Sequence, residues 1–370
     1  FDITAASEVM AIFALSTSLE DMRARMGRIV VGYTQAGEPV TAEQLKAAGS
    51  MAVIMREALK PNLLQTLEHT PVIVHAGPFG NIAHGNSSIV GDLIGIRGGD
   101  YLITEAGFGA DMGAERFFNI KCRNSGMVPD AAVLVATVRA LKAHSGKFKI
   151  TPGKPLPADL LAENPDDVRA GAANLIKQIE NVKVHGVSPV VAINAFPGDY
   201  DSEHQAIREI AESVGARVAV CRHFSEGGAG ATELAQAVVE ACDEPTQFQF
   251  CYESSDSLKT KIEKVATKIY GAAKVTYSAA ANTQLDRYEK NGFGTLPVCI
   301  AKTHLSISSD ASLKGAPTGH TVNVREVRAS VGAGFVYPIC GDMTTMPGLG
   351  SAPAASIIDF DANGEIVGLS

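Results

Sequence analysis

The chain has 370 residues, of which 46% are hydrophobic and 19% charged, a composition typical of a globular protein rather than a disordered or fibrous one. Its 32 Lys and Arg against 40 Asp and Glu give a formal charge of −8. Basic residues are not clustered with aromatics, so we expect no nucleic-acid partner. No apolar run approaches the roughly 18 to 20 residues that cross a bilayer, so we expect no membrane partner either.

The cysteines bear on the cellular compartment of the protein, and the first residue bears on whether the sequence is a fragment. None of the six cysteines falls in a C-x-x-C pair, which argues against a zinc site or a thioredoxin-like redox site. Reduced thiols in the cytoplasm are favoured over a disulfide framework, and no metal site is predicted. The chain begins at Phe1 instead of Met, with strand-like alternation already under way. We therefore expect a fragment.

Helix and strand signals begin with a capping box. Thr41 stands three residues before Gln44, a pattern that predicts a helix start. The helix should end near Lys60, because Pro61 disfavours helical geometry in the residue before it. The apolar run at 71–75, bounded by turn residues, predicts a buried strand.

Strand and helix signals then alternate. Residues 100–105 predict a strand, followed by a glycine-rich turn at 106–113 and a helix that begins at Ala114. Residues 130–137 predict another strand, with helix-favouring residues 139–142 directly behind it. Buried strands that alternate with helices are typical of a parallel sheet covered on both faces. The predicted class is α/β.

A break in the pattern predicts a domain boundary. Residues 147–167 carry four prolines and no sustained period, which indicates two domains, 1–168 and 169–370. The second domain continues the α/β pattern. Its predicted helices and strands are a helix over 168–185, a strand at 189–194, a helix over 202–214, a strand at 217–220, a helix over 256–269 and strands at 297–301 and 321–328.

Two turns in the first half carry candidate chemistry, since ligands of α/β sheets bind at the carboxyl ends of strands. The turn at 75–86 holds His75, His84 and three glycines, a density that favours an anion site. The alternative is a tight loop whose side chains only satisfy backbone groups. The next turn holds Glu105 and Asp111, suited to a metal-bound nucleotide or to proton donation, although Asp111 could equally cap the following helix.

A second candidate site follows two later strands. Asn194 and Phe196 leave one strand end together, and Phe224 follows the next strand. An amide and two rings at adjacent strand ends are suited to hydrogen bonding and stacking a flat heterocycle. The alternative is that each Phe packs in the core.

Residues 135–146 resemble the signature of the formate–tetrahydrofolate ligase family, with Ser145 in place of the first of two usual glycines. Other segments also look like family segments, in family order, and together they span essentially the whole chain. They are 75–85, 104–117, 192–197, 324–330 and 346–349.

The resemblance implies a fold and an activity. The family has a P-loop-NTPase-like parallel sheet with helices on both faces, plus a second α/β domain, and residues 1–168 would be the remainder of its nucleotide-binding domain. The family makes 10-formyltetrahydrofolate, ADP and phosphate from formate, ATP and tetrahydrofolate, through formyl phosphate. A cytoplasmic homo-oligomer is expected.

Some site residues follow only from the resemblance. Phe108 and Gly113 match the turn near the phosphate and formyl groups. Phe196, beside Asn194, matches the folate-stacking aromatic, and Phe224 stands where the family usually has tryptophan. His75, His84, Glu105 and Asp111 are the candidate catalytic residues.

One family motif is absent from the sequence. No G-x-x-x-x-G-K-[ST] segment occurs in these residues, although that P-loop holds the ATP phosphates and supplies a Mg²⁺-binding hydroxyl. We expect most Mg²⁺ ligands to lie in a missing N-terminal segment and this chain alone to be inactive. The alternative is a non-catalytic folate-binding or oligomer-forming remnant of the family.

Overall fold

The computed structural model describes residues 4–150, 155–343 and 354–368, so the family-like segment at 346–349 lies outside the described residues. The α-helices are α1 (Glu8–Leu15), α2 (Leu19–Gly27), α3 (Ala48–Met55), α4 (Ile89–Gly98), α5 (Arg123–Ser125), α6 (Val138–His144), α7 (Ala158–Leu161), α8 (Pro165–Ala170), α9 (Ala172–Lys183), α10 (Asp201–Ser213), α11 (His223–Glu226), α12 (Thr232–Cys242), α13 (Leu258–Lys268) and α14 (Ala279–Lys290). Two π-helical segments, Ala110–Ala114 and Phe117–Cys122, precede α5.

In the described residues the strands form five small sheets. They are β1 (Val30–Tyr33), β2 (Pro39–Thr41), β3 (Asn62–Gln65), β4 (Pro71–Val74), β5 (Ala131–Ala136), β6 (Ser188–Asn194), β7 (Arg217–Cys221), β8 (Lys274–Tyr277), β9 (Thr321–Ser330), β10 (Phe335–Cys340), β11 (Asp359–Phe360) and β12 (Ile366–Val367). Short 3₁₀ segments lie at Thr4–Ala6, Gly227–Ala231, Phe293–Thr295 and Ala354–Ser356.

The sheet β5–β6–β7 is parallel throughout and carries helices on both faces. Val191, Ile193 and Val218 share one buried cluster with apolar residues of α9 and α10. Side chains alternate along a strand, so Arg217 points away from that cluster. It reaches Glu240 of α12 and pairs with Glu244 at 2.6 Å. The predicted α/β class and the three predicted strands of this sheet are confirmed.

This sheet joins strands from both sides of the predicted boundary at residue 168. β5 precedes the boundary, and β6 and β7 follow it. A second connection is the ion pair between Lys142 of α6 and Glu203 of α10, both fully buried. The division into two domains stays a prediction.

A mixed sheet in the second half contains the strand predicted at 321–328. β9 pairs in parallel with β8 and antiparallel with β10. Val322, Val324 and Val336 share a core with Ile262 of α13 and Leu285 of α14. The predicted helix at 256–269 is confirmed as α13. The segment predicted as a strand at 297–301 lies parallel to β10, with bridges at Val298 and Ala301 and backbone hydrogen bonds from Cys299 to Val336 and from Ala301 to Pro338. Its extended pairing agrees with the prediction, although the ladder is irregular.

The capping box closes a turn instead of opening a helix. Thr41 N–H donates to Gln44 Oε1 at 2.7 Å, and Gln44 N–H donates to Thr41 Oγ1 at 3.4 Å. Lys46 then takes a left-handed backbone with φ 58°, which a continuing right-handed helix cannot contain. Helix α3 therefore begins only at Ala48 and ends at Met55, short of the predicted end at Lys60.

Three further predictions are corrected. The strand at 71–74 exists, but it pairs antiparallel with β3 and Val74 is 50% exposed, so it is not buried. Residues 100–105 form no ladder within the described residues, and the nearest pairing is one bridge between Ala106 and Asn86. The helix predicted over 168–185 is two helices that meet at Gly171, where a Cβ would collide with the carbonyl oxygen of Leu141.

In the described parts of the chain, every helix is too short or too polar to span a membrane.

Candidate functional site

The two glycine-rich turns of the first half lie against each other. The Gly107 N–H donates to the Gly85 carbonyl at 3.1 Å, and Ala106 bridges Asn86. Gly113 packs against the backbone of Gly107 so closely that a Cβ would overlap the Gly107 carbonyl. Only glycine, which has no Cβ, therefore fits at position 113.

Phe108 has a backbone conformation that residues with a side chain rarely adopt. Its φ is 64° and the residue is 49% exposed. The ring stacks on His304 with centroids 5.1 Å apart and planes at 19°. Gly80 approaches the same ring, since a Cβ at Gly80 would lie 2.9 Å from Cε2. Strained backbone of this kind persists only where surrounding contacts enforce it, and it is frequent at functional sites.

Asp111 is tied down from two sides beneath this turn. Its Oδ2 pairs with Lys302 at 2.6 Å, and both side chains are buried. Gln178 donates from Nε2 to Asp111 Oδ1 at 2.8 Å and accepts from the Asp111 N–H at 3.0 Å. The helical segment that contains Asp111 has no side-chain cap, so the capping alternative is wrong. Burial lowers the pKa of Lys302, which the carboxylate partly offsets.

Arg116 fixes the neighbouring turn. Its buried guanidinium donates to the carbonyls of Gly80 and Ala83, the latter at 3.1 Å, and to that of Ile300 at 2.6 Å. The planar guanidinium donates hydrogen bonds to three carbonyls, which hold the backbone of the turn in place. None of these contacts involves a carboxylate. Arg116 thereby joins the turn at 75–86 to the segment that leads into Lys302.

The two histidines of the turn differ sharply. His75 bonds through Nδ1 to Ser88 Oγ at 2.6 Å and through Nε2 to the Ala58 carbonyl at 2.9 Å. This is the arrangement that the tight-loop alternative expected. His84 is fully buried, and neither ring nitrogen has a hydrogen-bond partner in the described parts of the chain. Burial, with smaller effects from Lys121 and Arg116, lowers the pKa of His84 to about 3, so its ring is neutral near pH 7.

The carboxylates near the turn divide by exposure. Glu105 is exposed at the entrance of the turn. Glu115, which sequence reasoning did not single out, is buried and accepts from Asn119 Nδ2 at 2.9 Å. Burial raises the pKa of Glu115 to about 7. Among the residues described, no group of three or more His, Cys, Asp or Glu side chains is placed to hold a metal ion.

The second candidate site lies at the ends of β6 and β7. Asn194 is paired in register with Cys221, and the Phe196 N–H donates to Asp199 Oδ2 at 3.0 Å. The Phe196 ring is 38% exposed and Phe224, in α11, is 84% exposed. The alternative that both rings pack in the core is therefore wrong. The structure places the two rings after neighbouring parallel strands, as the sequence indicated.

Lys302, His304 and Arg116 are the residues that sequence reasoning missed. Lys302 and His304 act on a turn about half the chain away. Arg116 bonds to carbonyls 33 and 36 positions earlier in the chain, so no local pattern marks any of the three. One signal was present. The strand-like segment at 297–301 ends directly before Lys302, and the rule that ligand-binding groups follow strand ends applies there as well.

Comparison with known sequences finds a family model and relatives that match this chain over its whole length. A family model described as formate–tetrahydrofolate ligase matches residues 1–370. A formate–tetrahydrofolate ligase of Saccharopolyspora erythraea is 71% identical over 370 residues, 100% of this chain and 66% of that protein. One of Rubrobacter xylanophilus is 66% identical over 378 residues, and one of Cutibacterium acnes is 64% identical over 369, with the same coverage of both chains. The chain thus spans 66% of the length of these relatives.

Proposed function

The chain belongs to the formate–tetrahydrofolate ligase family, and from that premise we propose that its turns serve the ATP-dependent ligation of formate to tetrahydrofolate. The products are 10-formyltetrahydrofolate, ADP and phosphate. A formate oxygen attacks the γ-phosphorus of ATP and ADP leaves, which gives formyl phosphate. The folate amine then attacks the formyl carbon, the bond to phosphate breaks, and the amine loses its proton. The first step supplies the leaving group that a bare carboxylate lacks.

The observation that carries this proposal is the exposure of Phe196 and Phe224 at the ends of adjacent strands. Large apolar rings left in water lose the free energy that burial would provide, so a ligand that covers them gains it. A flat pterin offers a matching face, and stacked rings add about 0.5–1.5 kcal/mol beyond the buried area. Asn194 offers an amide for hydrogen bonding to the heterocycle.

The turn with Phe108 and Gly113 is our candidate for the formyl and phosphate groups. Its support is the enforced left-handed Phe108 and the close packing of Gly113 on Gly107. Phosphoryl transfer depends mostly on positioning and charge neutralisation, so a turn held this firmly suits it. Of the four candidate catalytic residues, Glu105 is the one with an exposed carboxylate.

The other three candidates would act through the shape of the turns. Asp111 is committed to Lys302 and Gln178, and His75 to Ser88 and the Ala58 carbonyl. The low pKa of His84 keeps it from donating a proton near pH 7. We therefore propose that these three orient backbone rather than transfer protons.

The remaining expectations extend the same proposal. ATP brings Mg²⁺ to the reaction, and no described residue is assigned to the metal, since none lies in a metal-binding cluster. A cytoplasmic location is supported by the six cysteines, all of which are free thiols. A homo-oligomer is proposed on family grounds.

Tetrahydrofolate binding by single-ring variants tests the proposal. Phe196→Ala and Phe224→Ala should each weaken tetrahydrofolate binding about tenfold in calorimetry, from lost stacking and lost area. The melting temperature should change little because both rings are exposed. Phe360→Ala, which removes another exposed ring, is the matched control and should bind as before. Unchanged tetrahydrofolate affinity in both variants would rule the proposal out.

A kinetic version separates the two substrates. In a ligase that joins this sequence to a family P-loop segment, the same variants should raise the KM for tetrahydrofolate about tenfold and leave the KM for ATP unchanged. An equal rise in both constants would indicate general disruption and count against a folate site.

A further inference from the structure

The segment from Lys302 to His304 contacts the Phe108 turn at two points. Lys302 pairs with Asp111 in the interior, and His304 stacks on the exposed Phe108 ring. We propose that His304 is a positioning residue, which holds the Phe108 ring in place through ring stacking. The proposal rests on the function suggested above for the Phe108 turn, and it adds a residue that no family motif in the sequence had pointed to.

The backbone of Phe108 explains why its ring needs a partner. A left-handed conformation is unfavourable for a residue with a Cβ, so the turn would relax if nothing held Phe108. The residue is about half exposed, and core packing alone therefore does not fix it. The His304 ring, nearly parallel at 5.1 Å, supplies a contact from a different part of the chain.

Lys302 makes the position of His304 reliable. Its ammonium group is buried, pairs with Asp111 at 2.6 Å and donates to the Ser306 carbonyl at 2.6 Å and the Thr303 carbonyl at 3.1 Å. These bonds fix the backbone on both sides of His304. The imidazole is therefore presented to Phe108 by an anchored loop, not by a free side chain on a mobile one.

The action of His304 is steric and not acid–base. Its side chain is exposed, and within the described chain its ring nitrogens form no hydrogen bond that would fix a proton. What the structure provides is a flat ring over another flat ring. Any planar ring of similar size should therefore replace it, whereas a small aliphatic side chain should not.

The test uses the ligase that joins this sequence to a family P-loop segment. His304→Ala should raise the KM for formate about fivefold, the loss of roughly 1 kcal/mol of stacking, and leave kcat and the KM for tetrahydrofolate within about twofold. His304→Tyr should restore the KM for formate and keep the pH profile of kcat/KM. Leu305→Ala, a substitution of the exposed neighbour, is the control and should match the parent enzyme.

Each other result has a distinct meaning. If Phe108→Ala leaves the KM for formate unchanged, the role proposed for the turn is wrong. If Phe108→Ala raises it and His304→Ala does not, the turn stands and the positioning role of His304 is overturned. If His304→Tyr fails to restore activity and a limb of the pH profile disappears with it, His304 transfers protons and the steric proposal is wrong.

Discussion

The guanidinium carbon of Arg139 lies 4.4 Å from the centre of the Phe196 ring. A cation over one face of an aromatic ring contributes about 0.5–2 kcal/mol, and here it orients the ring proposed to stack on folate. Arg139→Met should therefore weaken tetrahydrofolate binding about twofold to thirtyfold in calorimetry. Arg169→Met is the control, because Arg169 pairs with Asp166 and Glu209 on the surface. Equal tetrahydrofolate affinity in Arg139→Met and Arg169→Met would show that Arg139 does not contribute to the site.

The close approach of Gly113 to Gly107 predicts a severe effect of one methyl group. Gly113→Ala places a Cβ on the Gly107 carbonyl, so the turn must move, at a cost of about 3 kcal/mol or more. Gly49→Ala is the control, since its Cβ would meet nothing within 4 Å in α3. That change should raise stability by up to about 1 kcal/mol. Denaturant unfolding measures both, and a neutral Gly113→Ala would contradict the packing described.

Glu115 predicts a pH-dependent stability. Burial raises its pKa from 4.5 to about 7, so the folded chain holds this proton more tightly than the unfolded chain. The stability that Glu115 contributes is complete below pH 4.5 and is lost as pH rises to about 7. Glu115→Gln keeps an acceptor for Asn119 and cannot ionise, so it should match the parent at pH 4 and exceed it at pH 8 by at most about 3 kcal/mol.

Melting curves from pH 4 to pH 8 check this difference. Glu263→Gln, at an exposed position of α13, is the control and should follow the parent throughout. Parallel curves for Glu115→Gln and the parent would show that the carboxyl is ionised at no cost in the fold.

The 370 residues alone should make no 10-formyltetrahydrofolate from formate, ATP and tetrahydrofolate. Their sequence contains no P-loop to position the γ-phosphoryl group, and positioning is most of what phosphoryl transfer requires. Product formation by the purified chain, above that of a mock preparation, would show that other residues can hold ATP. Tetrahydrofolate binding should persist in the same sample.

Exposed apolar side chains predict dye binding. Leu63 is 76% exposed and Ile103 is 86% exposed, and strands β4 and β5 add Val74 at 50% and Val135 at 69%. Apolar surface of this extent is typical of surfaces that associate. At micromolar concentration the chain should enhance the fluorescence of a hydrophobic dye or self-associate in sedimentation. A monomer that binds no dye would be the opposite result.

Local patterns predicted the parallel sheet and failed at the turns. β5, β6 and β7 are short apolar runs with turn residues at both ends, so the local sequence is enough to predict that they are strands. The segment at 100–105 also has an apolar centre, at 101–103, yet the described structure gives it no ladder. Strand formation depends on a partner, which composition does not specify. The capping box failed for a local reason, the left-handed Lys46.

The candidate site shows the same division. Asn194 ends β6, Phe196 and Phe224 follow β6 and β7, and all three were predictable from these positions. The partners of Asp111 were not, because Lys302 and Gln178 approach it only in the folded chain. Sequence reasoning thus finds groups that a turn presents, and it misses the buried charges that hold the turn.

The bond from Arg116 to the Ile300 carbonyl spans 184 positions of the chain. A ribosome that adds about 5–20 residues per second needs on the order of 10 to 40 seconds to cover that distance. For that interval the first turns are already synthesised while the segment that locks them is not. The locked shape of these turns is thus acquired late in biosynthesis, and slowing translation between the two positions lengthens the period in which the nascent turns are open to proteolysis.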